Sequence, residues 1–498
     1  MALADYYARN ALAASQVLAG FDEKRIREVL DKERVGICVG TDAAQSNEGR
    51  ALLDLLVRLL ARLYPTLAVR GETGAQSAVQ DITDLARRIN PAIDFASDPT
   101  IEIAVGAGLI DVGELRRIFV GSSDWNAFVG TVEPRVVGSS SNPFGPGAAA
   151  CLAAANLFRW VFLRDESNLD RDLTFSTLEA ESCRTKDAPL TGSLGDVVLA
   201  GAGAIGNGAA WALSRTPMEG VLHIVDHQTI DLGNLQRYIL ADGADKGGTK
   251  VEVLARNFKN KVLAKPHIVK FEEFVATKGY VWPRVLLALD SAHDRRAAQA
   301  SLPQSITNAW TQPGDLGVSS HDFLHAACVS CLYLPEHALE NEDAIIAAAL
   351  GVHNQLMQIR TLLHNGQGIA KELLEAISSA RGIPIERLTP FQGRPVRDLY
   401  AEGFCGGAVL PLGTLGTPRQ DVHVPLAHQS ALSGLLLAAS VVRQALGLKL
   451  AGTQVTRIDV MHPLGSNLTQ AAAKDPRGAC ICQDADYQDV YKSKYARS

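Results

Sequence analysis

The sequence predicts an α/β fold made of two related halves, with a helical insertion in the second. Three observations carry this. A strand, a glycine-rich turn, a short helix and a second strand follow one another up to Asp226. The same order of elements occurs between Val35 and Val69, without the glycines. Each half also has a turn leading into a long Ala/Leu-rich helix with an arginine near its end, Arg159 in one and Arg443 in the other.

In the first half, Val35–Gly40 (VGICVG) is an apolar strand and Thr41–Gly49 a polar loop. Arg50–Tyr64 sets Leu52, Leu55, Leu56, Leu59, Leu60 and Leu63 at helical spacing on one face. Thr66–Val69 is the next strand, and Asn142–Gly147 opens the helix AAACLAAANLFRWVF. In the second half, Asp196–Ala200 and Val221–Asp226 are strands around a helix at Asn207–Arg215, a β-turn-α-β unit. Pro425–Ser430 opens the helix ALSGLLLAASVVRQAL. From 335 the texture changes: Asp343–His364 and Gly368–Ser379 predict two helices, followed by a polar loop, Ile383–Arg397. The expected division is 1–170 for the first half, 171–334 with 405–498 for the second, and 335–404 for the insertion.

A chain of 498 residues has room for about three domains. Its net charge, 48 − 54 = −6, argues against a general nucleic-acid binder. The N-terminus lacks the basic start and apolar block of a secretory signal. The two most apolar stretches, around 146–163 and 431–446, are each broken by an arginine and fall short of a comfortable membrane span. They read as buried helices, so no membrane is expected as a partner and the expected location is cytoplasmic. The eight cysteines are then thiols, metal ligands or catalytic groups.

Leu199–Gly208 (LAGAGAIGNG) contains G-x-G-x-x-G at Gly201, Gly203 and Gly206, and Asp226 lies twenty residues beyond Gly206. This is the fingerprint of a Rossmann turn, in which helix amides meet a phosphate and an acidic residue holds ribose hydroxyls. Asp226 suits NAD or ATP, so the turn alone leaves both open. The segment after it supplies Asn234, Gln236, Arg237 and Lys250. Displacing pyrophosphate from a triphosphate builds charge on the leaving oxygens, and positioned Arg and Lys side chains stabilise it. Val285–Leu289 is a strand ending in Asp290, where a carboxylate meets ligands and can anchor Mg²⁺. Singly, Arg237 and Lys250 read as surface charges and Asp290 as a helix N-cap. In this order they favour magnesium and ATP.

Cys328 and Cys331 form a C-x-x-C pair, and Cys480 and Cys482 a tighter C-x-C pair. Two such pairs suit a tetrahedral structural zinc. A thioredoxin-like role for the first pair leaves the second unexplained. Cys38 and Cys151 lie in apolar segments and read as core. Cys183 sits beside acids that raise its pKa. Among the histidines only His428, opening the last buried helix, stands out.

Gly201, Gly203, Ala204 and Gly206 of the turn, Asp226, the run Asn234-Leu235-Gln236-Arg237, Lys250, Asp290 with Arg295, and ACVSCLYLP resemble the adenylation domain of ThiF-type and ubiquitin-activating enzymes. The resemblance covers about 190–335 and 405–485. It implies two Rossmann-like adenylation folds in one chain, the first inactive and the second active. It implies MgATP-dependent adenylation of the C-terminal carboxylate of a ubiquitin-like protein. Asp226 would hold the ribose, Asn234, Arg237 and Lys250 the phosphates, and Asp290 the Mg²⁺. The four cysteines would bind zinc. The family works as paired adenylation folds, so this chain is read as a pseudo-dimer. An inactive copy supplies an arginine from near its N-terminus, here Arg9, whose other reading is an exposed helix arginine.

Some relatives pass the acyl group to a cysteine on a mobile loop. Cys405, before Gly406 and Gly407, fits that place, and attack by its thiolate would give a thioester. A separate carrier (conjugating) enzyme is then the expected acceptor, as in bacterial ubiquitin-like conjugation operons, some of them antiviral. Two other readings stand beside this one. Adenylation without a thioester would serve a sulfur carrier. An NAD-dependent oxidoreductase would leave Arg237, Lys250 and both cysteine pairs without a role.

Overall fold

A computed structural model describes residues 3–18, 21–108, 115–186, 188–312, 315–335, 342–405, 424–448 and 452–496, apart from the side chains of Glu402 and Cys405. The chain forms two compact units. The larger comprises Met1–Tyr7, Glu28–Leu334 and Pro425–Ser498, and the smaller Ala8–Arg27 and Pro335–Val424.

The larger unit contains two sheets. Strands β1 (Val35–Val39), β2 (Thr66–Gly71), β3 (Asp94–Phe95), β4 (Ile101–Val105), β5 (Arg117–Ser123), β6 (Asn126–Gly130) and β7 (Asp172–Ser176) run in the order β3-β2-β1-β4-β5-β6-β7. Strands β8 (Ser193–Ala200), β9 (Glu219–Val225), β10 (Val262–His267), β11 (Arg284–Leu287), β12 (Ile306–Gln312), β13 (Asp315–His321), β14 (Gln454–Ile458) and β15 (Thr469–Ala471) run β10-β9-β8-β11-β12-β13-β14-β15. In each sheet five parallel strands are followed by antiparallel ones, and the order reverses beside the first strand. This shared winding establishes two Rossmann-like folds. The parallel strands are apolar runs because both faces are covered; every residue of β1 and β4 is buried.

The two apolar stretches form the helices Phe144–Leu163 and Ala427–Ala445, which pack on each other and join the halves. Phe144–Leu163 is long and apolar enough to cross a membrane, yet 89% of its most apolar window is buried inside the fold. Each helix also packs on its own half's helix, Asn47–Leu63 or Ala204–Leu213. Gly434 permits the close crossing with the latter, since a Cβ there would lie 2.2 Å from the Ile205 carbonyl. The arginines that break the apolar pattern serve this seam. Arg159 is paired with Asp170 at 2.6 Å and donates to the Val460 carbonyl at 2.6 Å. Arg443 donates to the Leu178 carbonyl at 2.8 Å.

Some boundaries differ from expectation. Thr41–Gly49 is not a loop: Thr41–Gln45 is a short helix, and Ser46 then caps Asn47–Leu63 by accepting from the Gly49 amide at 3.0 Å. The glycine-turn helix begins at Ala204 rather than Asn207. The expected helix 343–364 breaks into Glu342–Leu350 and Leu356–Asn365 around Gly351, whose φ is +76°. Within the smaller unit Ile346, Leu350, Ile359, Leu373, Ile377, Leu388 and Phe404 form a separate core. That unit also takes in Ala8–Arg27, so the helix Tyr7–Val17 packs with the insertion; the Val424 amide donates to Gln16 at 2.8 Å.

Candidate functional site

The glycine turn closes the end of β8. Gly201 has φ +99°, and a Cβ there would lie 2.4 Å from the Ala288 carbonyl, so this position requires glycine. Gly206 is held as tightly, with 2.3 Å to the Gly201 carbonyl. Gly203 differs. Its φ is −73°, and a Cβ would meet only the Tyr238 hydroxyl, at 3.6 Å. Gly203 is the N-cap of the helix Ala204–Leu213, whose first amides form an anion-binding end.

Asp226 follows β9. Its carboxylate accepts from the Ala202 amide and the Gln228 amide, both at 2.9 Å, which ties it to the turn. Lys250 is buried at the start of the helix Lys250–Ala255. Its ammonium donates to Gln228 at 2.6 Å and lies 5.4 Å from the centre of the Tyr238 ring. Burial works to lower the Lys250 pKa, but Tyr238, Asp226 and Asp290 outweigh it and hold the ammonium above the ordinary lysine value. The same field therefore joins Lys250 to both carboxylates.

Asp290 is exposed at the end of β11. The N-cap of the following helix, Ala292–Ala300, is Ser291, which accepts from the Asp294 amide at 3.0 Å. Asp290 is thereby left to face solvent. Arg295 is buried, donating to the Ala309 carbonyl at 2.9 Å and the Tyr333 hydroxyl at 3.1 Å, a structural role.

The run after Asp226 divides. Arg237 is half-buried, with its guanidinium 5.7 Å from the centre of the Tyr238 ring. Gln236 is wholly buried; it donates to the Pro425 carbonyl at 2.9 Å and accepts from Arg237 at 3.2 Å, so it anchors the run. Asn234 accepts from the Asp231 amide at 2.9 Å and caps the turn. Arg9 lies on the helix Tyr7–Val17 of the smaller unit. The backbone of Leu399–Cys405 is a π-helical turn. The Cys405 side chain and Gly406 and Gly407 lie outside the described residues.

Sequence reasoning missed Tyr238 and Gln228. Both sit between residues chosen for charge, and neither carries a formal charge that would draw notice.

The Sγ atoms of Cys328, Cys331, Cys480 and Cys482 lie within 4.8 Å of one another. Cys328 and Cys480 are 3.4 Å apart, Cys331 and Cys482 3.5 Å. Tetrahedral zinc with Zn–S bonds of about 2.3 Å needs sulfur atoms about 3.8 Å apart, so the set fits a metal ion.

The first half has an equivalent crevice with different contents. Val39 pairs with Gly71 and Val105 as Ala200 pairs with Val225 and Leu287. That register sets Glu72 against Asp226, Asp42 against Gly203, and Gly108 against Asp290. Glu72 accepts from the Thr41 amide at 2.7 Å, as Asp226 does from Ala202. The Asp42 carboxylate accepts from the amides of Ala107 at 3.1 Å and Val137 at 3.2 Å. Nearby, the buried Glu48 accepts from Ser122 and Ser140 hydroxyls, both at 2.6 Å. Acidic side chains thus fill the place where the second half leaves an open turn.

The ThiF family profile matches residues 192–296, and the profile of prokaryotic E2 family C matches 38–163. The "Uncharacterized protein y4jF" of Sinorhizobium fredii is 40% identical over 510 residues, covering 100% of this chain and 98% of that protein. The chain belongs to one family with y4jF and carries a ThiF family domain at residues 192–296. Among solved structures, E. coli MccB with AMPCPP and the peptide MccA is 13% identical with a TM-score of 0.35. It covers 57% of this chain, and this chain covers 65% of MccB, a little under two thirds. PaaA is 12% identical with a TM-score of 0.31, covering 56% of this chain and 64% of its own.

Proposed function

We propose that the second half binds MgATP and adenylates the C-terminal carboxylate of a ubiquitin-like protein, and that the acyl group then passes to Cys405 as a thioester and on to a carrier enzyme. The convergence of Asp226, Lys250 and Asp290 on the glycine turn is the observation that carries this. Asp226 would hold the ribose. The turn amides with Lys250, Arg237 and Asn234 would meet the phosphates. Asp290 would hold Mg²⁺, which supplies charge neutralisation on the phosphates, and Arg9 would be the arginine that the inactive copy of such a pair supplies. Lys250 is charged and buried, so its attraction for developing charge on pyrophosphate oxygens is little screened. The four cysteines would hold zinc as a structural ion.

The first half is the inactive copy on this reading. Asp42 puts a negative charge where a phosphate would sit, and Gly108 offers no metal ligand where Asp290 stands. The π-helical turn ending at Cys405 supports the thioester step, since such turns are frequent at functional sites.

ATP–pyrophosphate exchange with candidate ubiquitin-like proteins tests the proposal. Asp290→Ala is expected to abolish exchange. Cys405→Ala is expected to retain it and lose the reducible adduct. An adduct that survives Cys405→Ala removes that cysteine from the mechanism. NAD binding without exchange removes the adenylation reading.

A further inference from the structure

Arg62 belongs to the first half, on the helix Asn47–Leu63, yet its fork ends in the second half. Its side chain is fully buried. Nε donates to the Leu235 carbonyl at 3.0 Å, and Nη2 to the carbonyls of Tyr238 at 2.8 Å and Ala241 at 2.6 Å. Nη1 returns to the Arg58 carbonyl at 2.6 Å. One turn earlier, Arg58 donates to the Ile239 carbonyl at 2.8 Å. Asp54 steadies Arg58 at 3.0 Å and accepts from Trp211 and Arg215 of the second half, both at 2.8 Å.

The clamped segment is the one that carries the phosphate-side residues. Tyr238 underlies both Arg237 and Lys250, and its hydroxyl lies against Gly203. The Leu240 amide donates to Asn207 at 3.1 Å, and Asn207 in turn donates to the Gly203 carbonyl at 2.9 Å. A guanidinium that donates to three carbonyls of one turn is an arrangement only a planar fork achieves. Those carbonyls are turned towards the first half, which leaves the Tyr238 face to the nucleotide turn.

We infer that Arg62, supported by Arg58, is a positioning residue through which the first half holds residues 235–241 in the form that binds nucleotide. The first half, though it holds no phosphate turn of its own, then completes the site of the second. This rests on the proposed function only for the identity of the nucleotide.

The test is Arg62→Lys in the full chain, which keeps the charge and loses the fork, alongside Arg58→Ala, which removes the bond to Ile239 and the ion pair with Asp54. Hydrogen exchange is read in nucleotide-free protein at the amides of Arg237, Tyr238 and Ala241, which donate within the turn at 3.0 Å each. MgATP affinity is measured by calorimetry. Both variants are expected to speed exchange at these amides, Arg62→Lys more than Arg58→Ala. Arg62→Lys is expected to weaken MgATP by about tenfold or more, since small misplacements in such sites carry losses of that size. Unchanged exchange overturns the inference, as does faster exchange with unchanged affinity. If Arg62→Lys does not fold, Arg58→Ala decides by the same two readings. Wild-type protein that binds no MgATP contradicts the proposed function and not the clamp, which the exchange arm still decides.

Discussion

The two crevices share strand order and register and differ in the side chains they present. At the turn, Gly203 stands where the first half has Asp42; after the next parallel strand, Asp290 stands where it has Gly108; and Asp226 and Glu72 both accept an amide from the turn. The scaffold is therefore the same and the electrostatics are opposite. One crevice offers free helix amides with a buried ammonium beside them. The other sets the Asp42 carboxylate in its turn, held by the amides of Ala107 and Val137. The first half nevertheless keeps structural contacts to the second, through Arg62 and Arg58.

The largest expected effect tests the ammonium. Lys250→Met removes the one buried cation of the second crevice's described residues that both carboxylates feel, and exchange should fall by about 10²–10³-fold. In the first half, Glu72→Gln, at the position that matches Asp226, deletes part of one hydrogen-bond acceptor. It should leave exchange untouched and alter stability by about 1 kcal/mol, read by urea unfolding. Equal losses from the two would break the comparison.

The cysteine set separates the halves next. Metal analysis should find one zinc per chain, and Cys328→Ser should lose it with a lower Tm, because binding energy at such sites is folding energy. A metal-free wild type with an unchanged Tm after chelation would count against the site.

A smaller effect belongs to the seam. His428 is buried at the start of Ala427–Ala445, and burial with the nearby Arg159 charge lowers its pKa from 6.5 to about 3. Its Nε2 has no hydrogen-bond partner among the described residues. The unfolded chain takes up the proton first, so the neutral form contributes its full stability above pH 6.5. That contribution declines by about 1.4 kcal/mol per pH unit as pH falls from there towards 3. Urea unfolding at pH 7.5 and pH 5 should show a shallower decline for His428→Gln than for wild type; identical slopes would exclude the histidine.

The glycine turn, Asp226, Lys250, Asp290 and the four cysteines were legible in sequence because each belongs to a spacing with a physical reason. So were the two halves, since the same order of elements repeats along the chain. Three features were not. Asp42 sits in a stretch that reads as a polar loop, and its role depends on amides of Ala107 and Val137, distant in the chain. Arg62 is one charge at the end of an amphipathic helix, and sequence gives no sign that it points into the fold. Gln236 reads as a ligand beside Arg237, whereas its burial and its bond to Pro425 make it an anchor. In each case the deciding contact comes from another element.

The central claim is that one crevice holds nucleotide because its turn is empty of charge. Gly203→Asp tests it most directly, since the backbone and the space at Gly203 both admit a side chain. This change copies Asp42 into the second turn without straining the fold. Calorimetry is expected to give one MgATP per chain for wild type and for Asp42→Gly, and no measurable binding for Gly203→Asp. Two nucleotides per wild-type chain, or binding that survives Gly203→Asp in folded protein, would contradict the account.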